Sequence, residues 1–462
     1  MTGSASGGVK RYLLSCPRYA IINPKLTATN SLVEAHLTTI QRPKGMQDVL
    51  PDDRRYWDLI IGRATDLARR YGFQRLDVPV IEYTDLFARG VGVASDFFVQ
   101  KEMYTITEED GTAITLRPEF TAGIVRAYLE NGMSSWPQPV KLYSIGPIFR
   151  RERPQAGRYR QHSQFNCEIL GETDPAADVE LMMLAMNLYR ELGYRGLAFQ
   201  LNSTGCPVCK PDYVAVLEQY LADHLAKLGP VDQERLRRNP LRVLDSKEPG
   251  MEAILANAPH IVDHLCADCA DHFAELRGLL DGLGQAYTIN FRLVRGIDYY
   301  TKTVFEVWAE GIGAQAAVCG GGRYDGLAEA IGGPSVPGVG FGSGIERIVL
   351  AMKEQNLPAP LLPPPPVMVA HFGGETKLAA VQLAFRLRQA GIGTRLAFAR
   401  TRRSLKSQMR EADRQGVQYV LILGETELAD GATAVRSMIG GEQRLVALES
   451  IVSWLQEALP SG

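Results

Sequence analysis

The sequence predicts a large α+β domain built on an antiparallel sheet with a helical insertion, followed by a small α/β domain with a mostly parallel sheet. Two observations carry the first part. Apolar runs of strand length follow one another between residues 112 and 308 with little helix between some of them, which favours antiparallel pairing over a βαβ repeat. The stretch at about 205–285 breaks this pattern and is helix-rich. A third observation carries the second part: past the proline cluster of residues 358–366, strand-like and helix-like segments alternate.

Taken in order, residues 1–40 open Gly/Ser-rich, show no clear period and read as an N-terminal extension of unknown role. The large domain spans residues 41–357. Its first helix follows Pro51-Asp52-Asp53, with Tyr56, Ile60, Ile61, Ala64, Leu67 and Ala68 at helical spacing. Asp52 or Asp53 suits its N-cap and Gly72 its end. Strands are expected at 112–117, 142–149, 165–170, 198–202 and 303–308, and insertion helices at 213–228 and 260–283. Pro363–Pro366 are consecutive, so the 358–366 linker is stiff and extended. The small domain, 367–462, reads strand 367–372, helix 377–390, strand 394–399, helix 404–415, strand 418–423, a turn at Asp430-Gly431 and helix 450–458.

The 462 residues are 45% apolar and 22% charged, which is ordinary for a globular chain of two or three domains. A net charge of −2 excludes a global polyelectrolyte, so a nucleic-acid partner would be held by local patches. No apolar run reaches the about 18 residues of a membrane span. The seven cysteines are an odd number, and no secretory pattern precedes them; both point to a reducing cytoplasm.

The chemistry concentrates in five segments. Arg150-Arg151-Glu152-Arg153-Pro154-Gln155-Ala156-Gly157-Arg158-Tyr159-Arg160-Gln161 follows a buried-type strand, which delivers planar, permanently charged forks to one place. Taken alone it also fits a surface loop of solvated arginines. Gly320–Gly322 and Gly340–Gly344 allow close backbone approach, the latter just before Arg347 at a helix start. Neither is a P-loop or dinucleotide fingerprint, because no Gly-Lys-Ser/Thr follows and no βαβ unit surrounds them. Arg295, Asp298, Tyr299 and Tyr300 place polar groups between apolar segments, and Glu119 and Thr121 add an acid and a hydroxyl after a strand.

Together these residues resemble the histidyl-tRNA synthetases, a class II aminoacyl-tRNA synthetase family, over roughly residues 42–460. Arg42–Asp48 is similar to the family's opening, and Asp77-Val78-Pro79-Val80-Ile81-Glu82 to motif 1, associated with a dimer interface. Phe149–Pro154 resembles motif 2, Gly344-Ile345-Glu346-Arg347 motif 3, and residues 293–300 and 320–326 the two histidine-specific segments. The resemblance implies a catalytic domain at 41–357 and an anticodon-binding domain at 367–462. It implies ATP-dependent attachment of L-histidine to tRNA(His) through a histidyl-adenylate, with Mg2+ accompanying ATP, in a cytoplasmic homodimer. By position Arg150 would hold the α-phosphate and Arg347 the outer phosphates, helped by Arg158, with Glu152 and Tyr159 placing the nucleotide. Arg295 would lie beside the reacting carboxylate and α-phosphate. Glu119 and Thr121 would receive the amino group of histidine, Gln164 would lie near the amino acid, and Glu168, Tyr299 and Tyr300 would read the imidazole. Arg153 and Gln155 would meet the tRNA acceptor end. The basic run of Arg400, Arg402, Arg403, Lys406 and Arg410 would meet anticodon phosphates, unless it is simply a solvated helix face.

Two departures, two cysteine pairs and a rival reading remain. His162-Ser163 stands where the family often has Phe-His, and Phe120 stands where a small residue is common, which would alter the edge of the histidine pocket. Cys206-x-x-Cys209 and Cys266-x-x-Cys269 could supply a tetrahedral structural zinc site. The 56 residues between the pairs exceed the gap of compact zinc ribbons, and four unconnected thiols are the other reading. The rival is the non-catalytic, synthetase-like regulatory subunit of ATP phosphoribosyltransferase. Such proteins lose motif residues and the C-terminal domain, whereas Arg150, Glu152, Arg295 and Arg347 all stand here.

Overall fold

The computed structural model describes residues 39–92, 102–152, 157–310, 317–361, 363–398 and 403–459. Met1–Pro43 and Lys44–Gly462 are separate units, and the fold below is that of the second. The strands are β1 Gln74–Arg75, β2 Ile81–Tyr83, β3 Tyr104–Thr107, β4 Ala113–Leu116, β5 Val140–Phe149, β6 Gln161–Leu170, β7 Ala198–Ser203, β8 Tyr287–Ile289, β9 Thr301–Trp308, β10 Ala317–Arg323, β11 Gly338–Gly344, β12 Val367–His371, β13 Thr394–Leu396, β14 Tyr419–Leu423, β15 Ala432–Ser437 and β16 Gln443–Ala447.

Eight strands form the main sheet in the order β1-β5-β6-β11-β10-β9-β7-β8. Its centre, from β5 to β7, is antiparallel as expected. The short edge strands β1 and β8 are parallel to their neighbours, so the whole sheet is mixed.

Period-two alternation divides the sheet into two chemically different faces. Phe165, Cys167 and Ile169 of β6, Val339 and Phe341 of β11, and Phe305 and Val307 of β9 are buried against helices Pro51–Arg70 and Pro175–Glu191. Ile60, Leu67, Leu181, Leu184 and Leu188 fill that layer. Each such side chain gains about 1.5–3 kcal/mol by leaving water. Asp52 and Asp53 lie inside the first turn of Pro51–Arg70, not at its cap, where acids complement the helix dipole. The Pro175–Glu191 helix starts where the Asp174 carboxylate caps Ala176 N at 2.8 Å and Pro175 occupies the first turn.

The glycine segments are strands, not loops. Gly320, Gly321 and Gly322 of β10 pair with Gly342, Phe341 and Gly340 of β11. On the face away from the helices a Cβ at Gly320, Gly340 or Gly342 would overlap the side chain of Arg295, Glu168 or Gln164 respectively. The missing side chains hollow out this face.

A buried ion pair locks the sheet to its helix layer. Arg323 at the end of β10 grips Asp178 with Nε and Nη2, and its Nη1 donates to Glu172 O at 2.7 Å. The insertion is helical as expected, with α-helices Lys210–Asp223, Pro230–Arg238, Met251–Leu255 and Ala267–Gly282 around a core that includes Leu217, Leu221, Val243 and Leu255.

The small sheet has the order β13-β12-β14-β15-β16. Only β13, β12 and β14 are parallel; β14, β15 and β16 run antiparallel, which corrects the expectation of a mostly parallel sheet. The link between β15 and β16, with Gly441 at φ +73°, is a tight turn too short for a parallel crossover.

Candidate functional site

The hollowed face of the main sheet is the floor of a cavity of about 1060 Å3. β5 and β6 are antiparallel and ten residues each, so Arg150 and Glu152 just after β5 and Gly157, Arg158 and Tyr159 just before β6 are brought to this cavity. Arg150 N donates to Arg160 O at 2.9 Å, and Gly157 turns the chain at φ +74°. Arg153 and Gln155 lie outside the described residues.

The cavity wall contains Glu119, Thr121, Arg150, Glu152, Arg158, Tyr159, Gln164, Arg295, Tyr299, Tyr300 and Arg347, residues the sequence marks in five separate segments. Arg150 is aimed by its Nε, which donates to Pro118 O at 2.9 Å, and Arg347 by Nη1, which donates to Ala317 O at 2.9 Å. Glu152 stands between Arg150 at 3.9 Å and Arg158 at 3.7 Å, so it spaces the cations without quenching them. Arg295 Nη1 donates to Glu306 at 2.7 Å.

Beside these arginines the cavity holds acidic and hydroxyl groups. The Glu119 carboxylate accepts from the N–H groups of Thr121 (2.5 Å) and Ala122 (2.9 Å) at the start of helix Thr121–Glu130. Burial raises its pKa, against those hydrogen bonds and the nearby Arg150. Glu168 lies behind the wall, not in it. Its carboxylate accepts from Thr121 Oγ1 (2.6 Å) and Tyr324 Oη (2.5 Å), and burial pushes its pKa up to about 8. Tyr299 and Tyr300 stack obliquely, with ring centres 4.8 Å apart.

Phe120 does not form the pocket edge expected of it. It is buried in a separate apolar cluster beneath the Arg117 guanidinium, whose carbon lies 4.2 Å from the ring centre.

Several wall residues have no binding role in the sequence reading. Asn166 continues the period-two series of Gln164 and Glu168; it lines the cavity, and its buried Oδ1 has no hydrogen-bond partner among the described residues. Glu306, Tyr324 and His162 also line it. Burial, then Arg150 and Arg347, push the His162 pKa down to about 3, so the ring is a neutral spacer between cations. Glu346 accepts from Ser163 N at 2.9 Å through both oxygens, and burial pushes it up to about 7. Alternation along a known strand could have found Asn166 and Glu306; His162, Tyr324 and Glu346 stand in segments the sequence singles out, but nothing local gives them a role.

The four paired cysteines converge. Their sulfurs lie within 4.8 Å of one another, with Cys206 Sγ 3.8 Å from Cys209 Sγ and 3.7 Å from Cys266 Sγ. Each pair sits at a helix start, and Val208 N donates to Cys206 Sγ at 3.4 Å.

In the small domain Lys406, Arg410 and Arg436 border a groove of about 500 Å3 floored by Met409 and Met438. Arg403 is engaged internally with Glu411 (2.8 Å), Ser407 (3.1 Å) and Phe398 O (3.2 Å). Arg400 and Arg402 lie outside the described residues.

Comparison with known proteins gives one consistent result. Residues 45–348 match the family model "Histidyl-tRNA synthetase", and residues 366–458 match "Anticodon binding domain". The chain is 47% identical to "Histidine--tRNA ligase" of Pelotomaculum thermopropionicum over 92% of its own length and 98% of the relative's. It is 45% identical to that of Dehalococcoides mccartyi over 91% of its length and 100% of the relative's. Among solved structures it is similar to apo histidyl-tRNA synthetase of S. aureus, with TM-score 0.74 and 33% identity, over 90% of this chain and 99% of that one.

Proposed function

The chain belongs to the histidyl-tRNA synthetase family, and from that premise we infer the work of each cavity residue. It is a histidine–tRNA ligase that attaches L-histidine to tRNA at the expense of ATP. The observation that carries the assignment of roles is that one cavity brings together four arginines, Arg150, Arg158, Arg295 and Arg347, and the buried Glu119–Thr121 acid–hydroxyl group.

In the first step a carboxylate oxygen of histidine attacks the α-phosphorus of ATP. The new O–P bond gives histidyl-adenylate as the bond to the β-phosphate oxygen breaks and pyrophosphate leaves. In the second, a 3′-terminal ribose hydroxyl of tRNA attacks the histidyl carbonyl carbon, loses its proton and expels AMP. Both steps gather negative charge on oxygen, which fixed cations stabilise best when already in place. Arg150 and Arg295 take the α-phosphate and the reacting carboxylate. Arg347 and Arg158 take the outer phosphates, with which Mg2+ arrives, and Glu152 and Tyr159 place the nucleotide. Glu119 and Thr121 receive the amino group, with Gln164 alongside. Tyr299, Tyr300 and the Thr121–Glu168–Tyr324 chain read an imidazole, which has one donor and one acceptor nitrogen. Such a polar site excludes apolar amino acids without editing, since they would leave its buried groups unpaired.

The cysteine cluster fits a structural zinc ion. Zn–S bonds of about 2.3 Å in a tetrahedron set sulfurs about 3.8 Å apart, close to the two spacings found. A zinc held there would tie the start of the Lys210–Asp223 helix to that of the Ala267–Gly282 helix, and a reducing cytoplasm suits its thiolates. A homodimer through motif 1 is supported by the small sheet β2-β4-β3, which exposes Tyr83 (65%), Ile106 (52%) and Ile81 (46%) on adjacent pairs. Residues 41–357 form the catalytic domain in this reading, and residues 367–462 bind the anticodon of tRNA(His), with Lys406 among the contacts. Among the described residues no helix is long and apolar enough to cross a membrane.

The deciding measurement is histidine-dependent ATP–pyrophosphate exchange. Wild-type enzyme exchanges, and Arg295→Ala abolishes exchange while the far-UV circular dichroism is unchanged. Full exchange by Arg295→Ala would refute the role given to that residue.

A further inference from the structure

The two cysteine pairs are joined by hydrogen bonds to the segment that carries Tyr299 and Tyr300. The Tyr300 carbonyl accepts from Thr204 Oγ1 at 3.1 Å and from the Lys210 ammonium at 3.4 Å. Two residues on, Lys302 N donates to Gly205 O at 2.7 Å, and Lys302 O accepts from Thr204 N at 2.8 Å. Thr204 and Gly205 run directly into Cys206, and Lys210 directly follows Cys209. The second pair takes part through Asp268, between Cys266 and Cys269, whose carboxylate lies 2.9 Å from Lys302 Nζ. The first knuckle thus grips the backbone of one short stretch, and the second holds the Lys302 side chain of the same stretch.

That stretch is set with little freedom. Lys302 holds φ +49°, a left-handed conformation that an ordinary residue keeps only where its surroundings over-determine it. Gly205, at φ +67°, has no room for a Cβ beside Cys209 Sγ. On the far side the Tyr300 ring packs against the backbone of Gly322, where a Cβ would also clash. A shift of the cysteine knuckles therefore has a direct route to the Tyr300 ring, which lines the cavity.

We propose that the metal-filled four-cysteine cluster positions the histidine pocket, by fixing the backbone of Tyr300 and Lys302 through Thr204, Gly205 and Lys210. The proposal rests on the reading that Tyr300 contacts histidine. It makes Thr204 and Lys210 positioning residues. Linkage then requires that histidine and metal strengthen each other's binding by the same factor.

The test measures histidine and ATP dissociation constants by calorimetry on full-length enzyme, zinc-loaded and stripped with a thiol reagent and chelator, with metal content by elemental analysis. One zinc per chain is expected. Stripping raises the histidine constant about ten-fold, about one factor of ten per 1.4 kcal/mol, and moves the ATP constant less than about two-fold. Histidine, but not ATP, slows transfer of zinc to a chelator. Thr204→Val and Lys210→Met keep their zinc yet weaken histidine binding, and Thr204→Ser restores it. In kinetics these variants raise the histidine KM and leave the ATP KM in place.

Protein that neither contains nor takes up zinc overturns the proposal. So does an unchanged histidine constant after stripping, or equal loss of ATP binding with loss of circular dichroism, which would make the metal a general folding element. Tyr300→Phe separates the two layers. If it leaves histidine affinity intact, the assignment of Tyr300 itself fails. If it weakens binding while stripping does not, only the coupling fails.

Discussion

Arg295 and Glu306 form a clamp inside the cavity: Arg295 Nη1 lies 2.7 Å from Glu306 Oε1, and Trp308 Nε1 fixes the other carboxylate oxygen at 2.8 Å. The Arg295 side chain lies over Gly320, which pairs with Glu306 in the sheet. Strand β9 thus aims a cation that the 293–300 segment contributes. Glu306→Gln keeps the shape but weakens the charge-assisted bond. It should lower the kcat of ATP–pyrophosphate exchange about 10- to 100-fold, the order expected for a misplacement of about 1 Å, with both KM values nearly unchanged. A pure rise in KM would mean that Glu306 binds substrate instead of aiming Arg295.

Arg323 is fully buried, with its side chain and that of Asp178 both at 0%. The pair joins β10 to the Pro175–Glu191 helix, and His272 approaches the same carboxylate at 3.6 Å. Asp178→Asn removes the nearer carboxylate of a buried guanidinium and leaves it only Asp325, at 3.4 Å, a loss of up to about 3–5 kcal/mol. The urea midpoint should fall while the slope of the unfolding curve stays the same. A loss below about 1 kcal/mol would show that Asp325 and the backbone acceptors Glu172 O and Asp174 O already satisfy Arg323.

Much of the site was legible because it is written in residue types that tolerate few uses. Arg150, Arg158, Arg295 and Arg347 stand out as permanent cations at element ends, and the paired cysteines by their spacing. The glycine segments misled for a physical reason. Gly320–Gly322 and Gly340–Gly344 carry the composition of loops, but they are central strands whose missing side chains make space for Arg295, Gln164 and Glu168. Local propensity cannot register a demand made by neighbouring strands. The partly antiparallel small sheet was hidden likewise: β16, Gln443–Ala447, is mostly exposed, with Leu445 turned to solvent, and lacks a strand's apolar alternation. Tyr324 and Glu346 act through partners more than 150 residues away, Glu168 and Ser163, and no periodicity encodes such contacts.

Burial raises Glu168 to about 8 and Glu346 to about 7, above the usual value of 4.5. Their stabilisation is complete below the unfolded pKa and is lost as pH rises through the folded values. His162, pushed down to about 3, acts oppositely: its contribution is present above its usual 6.5 and is lost as pH falls. The window between pH 6.5 and 8.5 therefore isolates the two acids from His162. Urea stability should decline across it, and Glu346→Gln or Glu168→Gln should decline less steeply whatever its starting level. Parallel curves for wild type and both variants would rule out raised folded pKa values.

Lys406 and Arg403 lie on the same basic run but have different surroundings. Arg403 is committed to Glu411 and Ser407, whereas Lys406 is exposed beside the Met409–Met438 groove with Arg410 and Arg436. Only the exposed cations are in position to replace counterions on a phosphate backbone. Lys406→Ala should raise the KM for tRNA in aminoacylation and reduce the salt slope of tRNA binding by about one. It should leave ATP–pyrophosphate exchange, which needs no tRNA, at the wild-type rate. Arg403→Ala should act chiefly on the unfolding midpoint, because it frees Glu411 and the start of the Leu405–Arg414 helix from their shared partner. If Arg403→Ala shifts the salt slope and Lys406→Ala does not, the assignment of the RNA-facing side of this helix is reversed.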